Sequence, residues 1–360
     1  MKLSIFSFFL FLSMIVVGCT KWDLDKVSIQ TNDTENPPST SPTPTPTPTP
    51  SPTPNPAPSP ITNDLNKVFF SSNQIGYIAG NKVVLKTTNG GTTWSKIKES
   101  STIEFTAVYF VDDNNGFVGG NDQTYTYLYV TSDGGGSWKQ ISKNAGANDP
   151  CKITEILYTN NTIFYLFNNY PNATQIYGFV FYSTDNGTNW IRLQPRNASG
   201  MQGLNCATQF NGTIIIGGAS YWDGAGKFGG TQSILNLTNP SLTLSKIDIS
   251  NSINGICLSN NKAIAVGDGG SFFNSLDKGT NWSTKTISGF INIDFHAVII
   301  IDDLNFYIAG ENGTLLKTSD GGLNWTQITT TGKYSLNGFS LKPNGELYLV
   351  GNSGQILKVK

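Results

Sequence analysis

An eight-residue turn motif recurs five times and constrains the fold of this chain more than any other feature. Every copy follows the pattern Ser/Thr-x-Asp/Asn-x-Gly-x-x-Trp. Five copies of such a pattern do not arise by chance, and repeats spaced by roughly 40 to 50 residues are typical of propellers and solenoids. The copies are TTNGGTTW at Thr87–Trp94, TSDGGGSW at Thr131–Trp138, STDNGTNW at Ser183–Trp190, SLDKGTNW at Ser275–Trp282 and TSDGGLNW at Thr318–Trp325.

Each position of the motif has a physical reason. Asp or Asn at the third position caps its own turn through side-chain hydrogen bonds. Gly at the fifth position supplies a positive φ, and the Trp begins the next strand and buries a large ring between neighbouring units. We therefore assign a structural role, rather than ligand binding, to Asn89, Trp94, Asp133, Trp138, Asp185, Trp190, Asp277, Trp282, Asp320 and Trp325.

Two other patterns recur in phase with the turn motif. A segment typical of a β-strand, such as GYIAG at Gly76–Gly80, precedes it, and an apolar residue followed by a polar one precedes that segment. Seven such pairs occur, which predicts an all-β fold over residues 64–360, a seven-bladed β-propeller of four-stranded antiparallel blades. The pairs are Leu65-Asn66, Phe105-Thr106, Ile153-Thr154, Leu204-Asn205, Ile253-Asn254, Phe295-His296 and Leu336-Asn337.

Two of the predicted units are incomplete. The fourth, near Leu204–Ile247, lacks the turn motif and its Trp, and the seventh ends at Lys360 after three strands. The outermost strand of the seventh unit must therefore come from elsewhere or be absent. Residues just before Leu65, at Ile61–Asp64, could supply a short closing strand, and closure matters because an open ring would expose a sheet edge.

The N-terminus carries the signals of export. A basic start and an uncharged apolar run, Leu3–Val17, indicate a secretory signal peptide over residues 1–18. Val16-Val17-Gly18-Cys19 resembles the bacterial lipobox, which implies lipidation of Cys19; the alternative is an ordinary cleaved signal with an incidental cysteine. Thr20, in place of an acidic residue, favours the outer membrane, so we expect a lipid-anchored protein of the cell envelope or cell surface.

A proline-rich segment separates this anchor from the repeats. Pro37–Pro60 reads PPSTSPTPTPTPTPSPTPNPAPSP, and alternating proline removes backbone donors, so the segment is not expected to pair as a strand. A polyproline-II spacer rises about 3.1 Å per residue, which would place the folded domain on the order of 70 Å from the membrane. We assign residues 19–63 to a lipidated N-terminus with a disordered, low-complexity linker that acts as a stalk.

Composition excludes several function classes. A net charge of -1 with 13% charged residues gives no phosphate-seeking surface, so nucleic acid is not an expected partner. Besides Cys19 there are three dispersed cysteines, which form neither a zinc motif nor a disulfide framework. A bridge between Cys206 and Cys257 and buried free thiols both remain open. We expect no metal and no cofactor.

The complete repeat resembles that of photosystem II stability/assembly-factor propellers, and the turn motif resembles the Asp-box (BNR repeat) of bacterial neuraminidase-type proteins. The resemblance covers nearly all of Leu65–Lys360 and implies a non-catalytic scaffold that binds protein. Two features depart from it. The photosynthetic members use an arginine-rich patch, whereas this chain has only Arg192 and Arg196, and the proline stalk is unlike theirs.

Catalytic interpretations are weaker. The resemblance to sialidases implies three carboxylate-binding arginines, for which two arginines four residues apart cannot substitute. The only histidine, His296, occupies a position that is Asn or Thr in the other units, so it is interpreted as a polar member of the repeat. The acidic pairs Asp112-Asp113 and Asp302-Asp303 occupy equivalent turns, and the Gly-rich segment Gly267–Ser271 lacks the Lys-Ser/Thr and helix of a phosphate loop.

The predicted partner site lies on the loops between second and third strands. Units two, three and four carry insertions there, at Asn121–Tyr127, Asn168–Gln175 and Ala219–Gly230. Exposed Tyr, Trp and Arg are typical of binding hot spots, although long loops can also pack their own aromatic residues. The candidate ligand-face residues are Tyr125, Tyr127, Tyr170, Arg196, Tyr221 and Trp222.

These observations predict an envelope lipoprotein whose propeller binds an envelope or extracellular protein in an assembly or adhesion role. The first alternative is an extracellular polysaccharide-binding module, because aromatic rings also stack on sugars. The second is a glycoside hydrolase, for which the paired acids would supply the chemistry. The sequence favours the non-enzymatic interpretation.

Overall fold

The fold was analysed in a computed structural model, which describes residues 54–56, 59–145, 150–172, 175–193, 203–222, 228–236, 241–246, 251–330 and 332–360. Apart from two short 3-10 turns, Asp268–Gly270 and Glu311–Gly313, the regular structure of this part is entirely β-strand. Across the same residues, no helix has the length and apolar character needed to cross a bilayer.

The strands form six antiparallel sheets. One has six strands: β2 (Leu65–Phe70), β3 (Gly76–Thr87), β4 (Ser95–Phe110), β5 (Gly116–Asn121), β6 (Tyr125–Thr131) and β7 (Lys139–Ala145). Three have four consecutive strands each: β8 (Cys151–Thr159), β9 (Thr162–Asn172), β10 (Gln175–Ser183) and β11 (Ile191–Leu193); β12 (Leu204–Phe210), β13 (Thr213–Trp222), β14 (Phe228–Asn236) and β15 (Ser241–Lys246); β16 (Ile253–Ser259), β17 (Lys262–Gly267), β18 (Ser271–Ser275) and β19 (Ser283–Thr286). The other two are β20 (Phe295–Ile300), β21 (Phe306–Gly310), β22 (Leu315–Thr318) and β23 (Thr326–Gln327), and β24 (Leu336–Leu341), β25 (Leu347–Gly351) and β26 (Gln355–Lys358) joined by β1 (Asn55–Pro56).

The prediction of seven four-stranded blades is wrong. The described residues form five four-stranded blades, and the segment predicted to hold the first two units forms a single six-stranded sheet. The cause is local: β4 runs without a break and pairs with β3 through Ser95–Glu99 and with β5 through Phe105–Phe110. Its middle, SSTIE, has no Gly or Pro and contains β-branched residues, so nothing ends the strand.

The inner strands are β2, the second half of β4, β8, β12, β16, β20 and β24. They contact one another in chain order, and β24 contacts β2, which closes the ring. In every one of them the register shifts at the polar member of the apolar–polar pair, for example between Leu65 and Lys67 and between Phe295 and Ala297. Such a bulge bends the strand and re-aims one side chain.

The re-aimed side chains join each inner strand to the next. Asn66 Nδ2 donates to the carbonyl of Phe105 at 2.8 Å, and Asn337 Nδ2 donates to the carbonyl of Leu65 at 2.8 Å, linking the last strand to the first. Four other pairs repeat this bond, whereas the His296 side chain makes no hydrogen bond in the described part of the chain. The four are Thr106 to Ile153, Thr154 to Leu204, Asn205 to Ile253 and Asn254 to Phe295.

The last sheet is completed by the N-terminal side of the chain. Asn55 and Pro56 pair antiparallel with Lys358 and Leu357. The expectation that Ile61–Asp64 forms this strand is therefore wrong, as is the expectation that no part of the proline-rich segment pairs. Ile61–Asp64 instead braces the last sheet, because the Asn63 carbonyl accepts the backbone N–H of Gly354 and the Asp64 carboxylate accepts that of Ser353.

The turn motif folds alike in all five copies. In the second copy Thr131 Oγ1 donates to Asp133 Oδ1 at 2.8 Å and accepts the Gly135 N–H at 2.9 Å, and Asp133 Oδ1 accepts the Ser137 N–H at 2.9 Å. The fifth-position glycine has a φ of 90° in this copy, a value strained for any side chain. The first copy makes the same bonds with Asn89 in place of Asp.

The motif also ties neighbouring units together. The ring of Trp325 packs edge-on against Phe272 and Phe306, which belong to adjacent sheets, with centroids 5.4 and 5.5 Å away. The carbonyl of Gly90 in the first copy accepts both Lys342 Nζ at 2.8 Å and Tyr348 Oη at 2.7 Å from the last sheet. Ring closure is thus secured at both ends of the inner strands.

We expect replacement Asn337→Ala to destabilise the ring by about 1 to 3 kcal/mol, because it leaves the Leu65 carbonyl without this donor. The urea midpoint of unfolding measures the effect. His296→Ala is the matched control, since it removes a side chain from an equivalent position without removing a hydrogen bond, and it should cost less than about 1 kcal/mol. Equal effects would contradict the role of the inter-strand bond.

Stability should fall in acid because of the motif aspartates. Hydrogen bonds from Ser137, backbone first and then side chain, and from Thr131 lower the pKa of Asp133 to about 2, and Asp185, Asp277 and Asp320 show the same shift. The pKa of Asp in an unfolded chain is about 3.9. The free energy that these aspartates contribute to folding is therefore complete above that pH and is lost as the pH falls through about 2. Melting temperatures between pH 2 and 5 test this.

The chain supplies its own control for the acid effect. Asn89 occupies the same turn without a titrating group, so Asn89→Asp should steepen the acid dependence of the melting temperature and Asp133→Asn should flatten it. A dependence that neither variant changes would assign acid sensitivity to other groups.

Candidate functional site

The inner strands surround a cavity of about 800 Å³. Its lining changes character along the strands, from polar side chains at one end to Phe70, Leu157 and Leu341 further along. We call the first end the mouth; it is the end at which the inner strands begin. The mouth is bounded by Asn66, Thr106, Thr154, Asn205, Asn254, His296 and Asn337.

One ion pair lies inside the cavity. Lys67 Nζ, on the first inner strand, contacts Glu155 Oε2, on the third, at 2.6 Å. The Glu155 side chain is only 6% exposed, whereas that of Lys67 is 33% exposed. The second inner strand has Ala107 at the equivalent position, and its small side chain leaves room for the lysine to reach past it.

A second, weaker ion pair flanks the mouth. Lys152 Nζ lies 3.8 Å from Glu104 Oε1, and both side chains are about 40% exposed. Glu104 also accepts a hydrogen bond from Asn66 Nδ2 at 3.4 Å. An exposed pair of this kind contributes little stability, but it joins the rim of the mouth to the ring of inner strands.

Most predicted ligand-face residues lie in strands rather than loops. Tyr125 and Tyr127 are on β6, Tyr170 is on β9, and Tyr221 and Trp222 are on β13. The inserted residues therefore lengthen hairpins. The side chains of Tyr221 and Trp222, and Arg196 as a whole, lie outside the described residues, so their role stays a prediction.

Tyr125 and Tyr127 are packed within their own sheet. Lys143 Nζ lies 3.9 Å from the ring centroid of Tyr125, and Tyr127 donates a hydrogen bond to Asp122 at 2.7 Å. Their neighbour Tyr129 is covered by Lys98 Nζ at 4.0 Å. Lysine groups already occupy ring faces that a sugar would need, so this cluster matches the satellite-packing interpretation.

Tyr170 is the one predicted ligand-face residue that borders the cavity among those whose side chains are described. It is half-buried, and its hydroxyl accepts a hydrogen bond from Asn168 Nδ2 at 3.4 Å. Burial raises the pKa of Tyr170. Asn168 in turn bonds both the N–H and the carbonyl of Leu204, at 2.8 and 3.1 Å, so Tyr170 is held at the mouth by the adjoining inner strand.

The first acids of the two acidic pairs considered for catalysis, Asp112 and Asp302, cap their own turns. Asp112 Oδ1 accepts the N–H groups of Asn114 and Asn115 at 2.7 and 2.8 Å, and Asp302 caps its own turn in the same way. Burial raises the pKa of the Cys206 thiol to about 12. Cys206 is a free thiol, so it does not form the bridge with Cys257. Within the described ranges no group of three or more His, Cys, Asp or Glu side chains is arranged to hold a metal.

The sequence analysis missed Lys67 and Glu155. A signal was present, because both follow directly after the polar member of an apolar–polar pair. At that position the other units have only small residues. Lys67 and Glu155, with their opposite charges, are therefore exceptions within the repeat. This departure from the repeat is the signal that could have identified them as candidate site residues.

Comparison with solved structures finds several proteins with a similar fold. YCF48 bound to D1 peptide has a TM-score of 0.66 at 18% identity, and the alignment covers 86% of this chain and 96% of that chain. The chain folds as a β-propeller. YCF48 from Cyanidioschyzon merolae (TM-score 0.64, 16% identity, 85% and 98% covered) and a streptogramin B lyase (TM-score 0.64, 11% identity, 85% and 95% covered) are similar to a comparable degree.

At these identities the likeness establishes the fold alone, and it confirms the predicted all-β propeller and its similarity in fold to the photosystem II assembly factor. No protein-family model matches the chain. No curated protein matches it either. Because one of the three similar structures is a lyase, the fold does not decide whether the chain is an enzyme.

Breaking the cavity ion pair should be costly. Lys67→Met strands the Glu155 carboxylate in a buried position, and we expect a loss of about 3 kcal/mol, the lower end of the range for a broken buried pair because Lys67 is partly exposed. The double variant Lys67→Met/Glu155→Gln removes the stranded charge and should recover part of the loss. A Lys67→Met protein with the wild-type urea midpoint would contradict this account.

Proposed function

We propose that this protein is a lipid-anchored, stalk-mounted propeller that binds a protein partner at the cell envelope without catalysis. The observation that carries the proposal is the cavity of about 800 Å³, which is closed by a rigid ring and has a polar mouth bordered by Tyr170. Function in propellers is grafted onto such a scaffold. A partner segment inserted in the mouth would meet preformed contacts.

Two further observations support this proposal. A structurally similar propeller, YCF48, has been solved with a peptide of D1 bound, which makes peptide binding a function that this fold serves. Asp112 and Asp302, which were considered for catalysis, cap their own turns. Binding is therefore the activity that fits the arrangement best.

The envelope location rests on the sequence of the N-terminus. The lipobox-like Val16–Cys19 would anchor the chain by acyl chains, and the proline-rich segment would carry the propeller away from the bilayer. The strand at Asn55–Pro56 fits this arrangement, because the stalk then enters the domain at the outer edge of the last sheet.

The test is co-purification of partners from envelope fractions with the full-length chain. Tyr170→Ala should reduce the recovered partner at least fivefold, because it removes an aromatic side chain from the mouth. Tyr177→Ala is the matched control: this tyrosine lies on the paired strand β10, is exposed and does not line the cavity, so recovery should stay at the wild-type level.

The same preparation tests the location. Cys19→Ala should move the protein from the membrane fraction to the soluble fraction of the envelope while its melting temperature stays unchanged. If both tyrosine variants recover the partner fully, the mouth is not the binding site; if Cys19→Ala stays in the membrane fraction, the anchor is not the lipid.

A further inference from the structure

The side chains at the mouth have their donors engaged. Asn66 Nδ2 donates to the Phe105 carbonyl and to Glu104, Asn254 Nδ2 donates to the Phe295 carbonyl and to Asp268, and Asn337 Nδ2 donates to the Leu65 carbonyl and to Asn352. A backbone carbonyl only accepts hydrogen bonds, so these partners fix which amide atom is nitrogen. Both amide protons of each of these three side chains are used.

The rest of the ring follows the same rule. Asn205 Nδ2 donates to the Ile253 carbonyl at 3.1 Å and to Asn254 Oδ1 at 3.3 Å. Thr106 and Thr154 donate their single hydroxyl protons to the next inner strand. Within the described residues, Oδ1 of Asn66, Asn205 and Asn337 accepts no hydrogen bond. The mouth therefore offers amide and hydroxyl oxygens as acceptors and few donors.

Around the mouth, the charges that remain outside ion pairs among the described residues are negative. Glu155 and Glu104 are paired with Lys67 and Lys152. Asp268 accepts Asn254 Nδ2 at 2.6 Å, and Asp294 accepts the Gly269 N–H at 2.8 Å. Neither of these two aspartates has an ion-pair partner in the part of the chain that the structure describes. They leave an excess of negative charge beside a ring of acceptors.

A ligand that matches such a ring carries several donors, no acceptor and a positive charge. An ammonium group has three donors and no acceptor. Its compact charge suits separate oxygens, whereas a guanidinium is matched by a planar carboxylate fork. Ca²⁺ is less well matched, because its protein sites use carboxylates among their oxygen ligands. Among the described residues that line the cavity Glu155 supplies the only carboxylate, and it is already paired with Lys67.

We propose that the mouth captures a primary ammonium group, namely a lysine side chain of the protein partner. This inference rests on the proposed function and specifies the chemistry of the group that inserts. The lysine would enter from the solvent side, so its ammonium stays at the mouth, before the apolar wall where side chains such as Val68 and Ile156 line the cavity. Its ammonium would be held by the Asn and Thr oxygens.

Two peptides test the proposal in NMR titrations of the folded propeller. The probe is the acetylated and amidated tripeptide Gly-Lys-Gly, and its control carries an Nε-acetyl lysine, which keeps the four-carbon stem and loses the charge. We expect the probe to perturb backbone resonances at the mouth and to bind at least tenfold more tightly than the control. Equal affinity, or no binding of either peptide, would overturn the proposal.

His296 provides the matched variants, because it lies in the ring and its side chain makes no hydrogen bond within the described residues. His296→Lys places a competing ammonium at the mouth and should weaken probe binding at least tenfold, whereas His296→Asn adds another amide oxygen and should strengthen it. Ser319→Lys adds the same charge at an exposed motif turn and should leave binding at the wild-type level. Unchanged binding by His296→Lys would also overturn the proposal.

Two further arms separate the outcomes. If CaCl₂ alone produces the same perturbations and displaces the probe, the ring is an inorganic cation site and the lysine assignment is wrong. If Tyr170→Ala still abolishes partner recovery but the peptides do not bind, the partner-binding function stands and only the ammonium assignment fails.

Discussion

The hydrogen bond from the polar member of an apolar–polar pair to the carbonyl of the next inner strand, made by six of the seven pairs, is the interaction on which the structure depends. A single four-stranded sheet cannot bury both of its faces, so the units are stable only when they stack, and stacking alone does not set their order around an axis. The bulge that precedes each polar side chain turns it out of its own sheet. Because Asn337 reaches Leu65, the same device that spaces the sheets also closes the ring.

The ring tolerates variation elsewhere because this bond and the motif turns act at opposite ends of the inner strands. Two of the predicted units share one six-stranded sheet, and the last sheet takes a strand from residues that precede the repeats. Neither change disturbs the contacts between inner strands. The six-stranded sheet instead follows local chemistry, because β4 continues through a segment that contains neither Gly nor Pro.

The sequence was most informative where a pattern repeats. The turn motif predicted its own hydrogen bonds, because Thr131 and Asp133 have partners only within their own turn. It was less informative where one copy differs from the rest.

The pairing of Asn55 with Lys358 depends on the vacant edge of a sheet about 300 residues away, which no local signal in a proline-rich segment reveals. Tyr125 and Tyr170 were placed on the correct hairpins, but burial separates them, since lysine covers one and the cavity borders the other.

The electrostatics of the mouth follow from the same ring. A scaffold that joins its inner strands by donating from Asn and Thr side chains consumes its donors in holding itself together, so the atoms that remain for a ligand are oxygens. An arginine-rich surface, which the resemblance to photosystem II assembly factors implies for those proteins, presents the opposite chemistry. With only two arginines in the chain and carboxylates at Asp268 and Asp294 beside the mouth, this propeller is suited to a cationic group. The side chains that close the ring therefore also determine the chemistry that the mouth presents to a ligand.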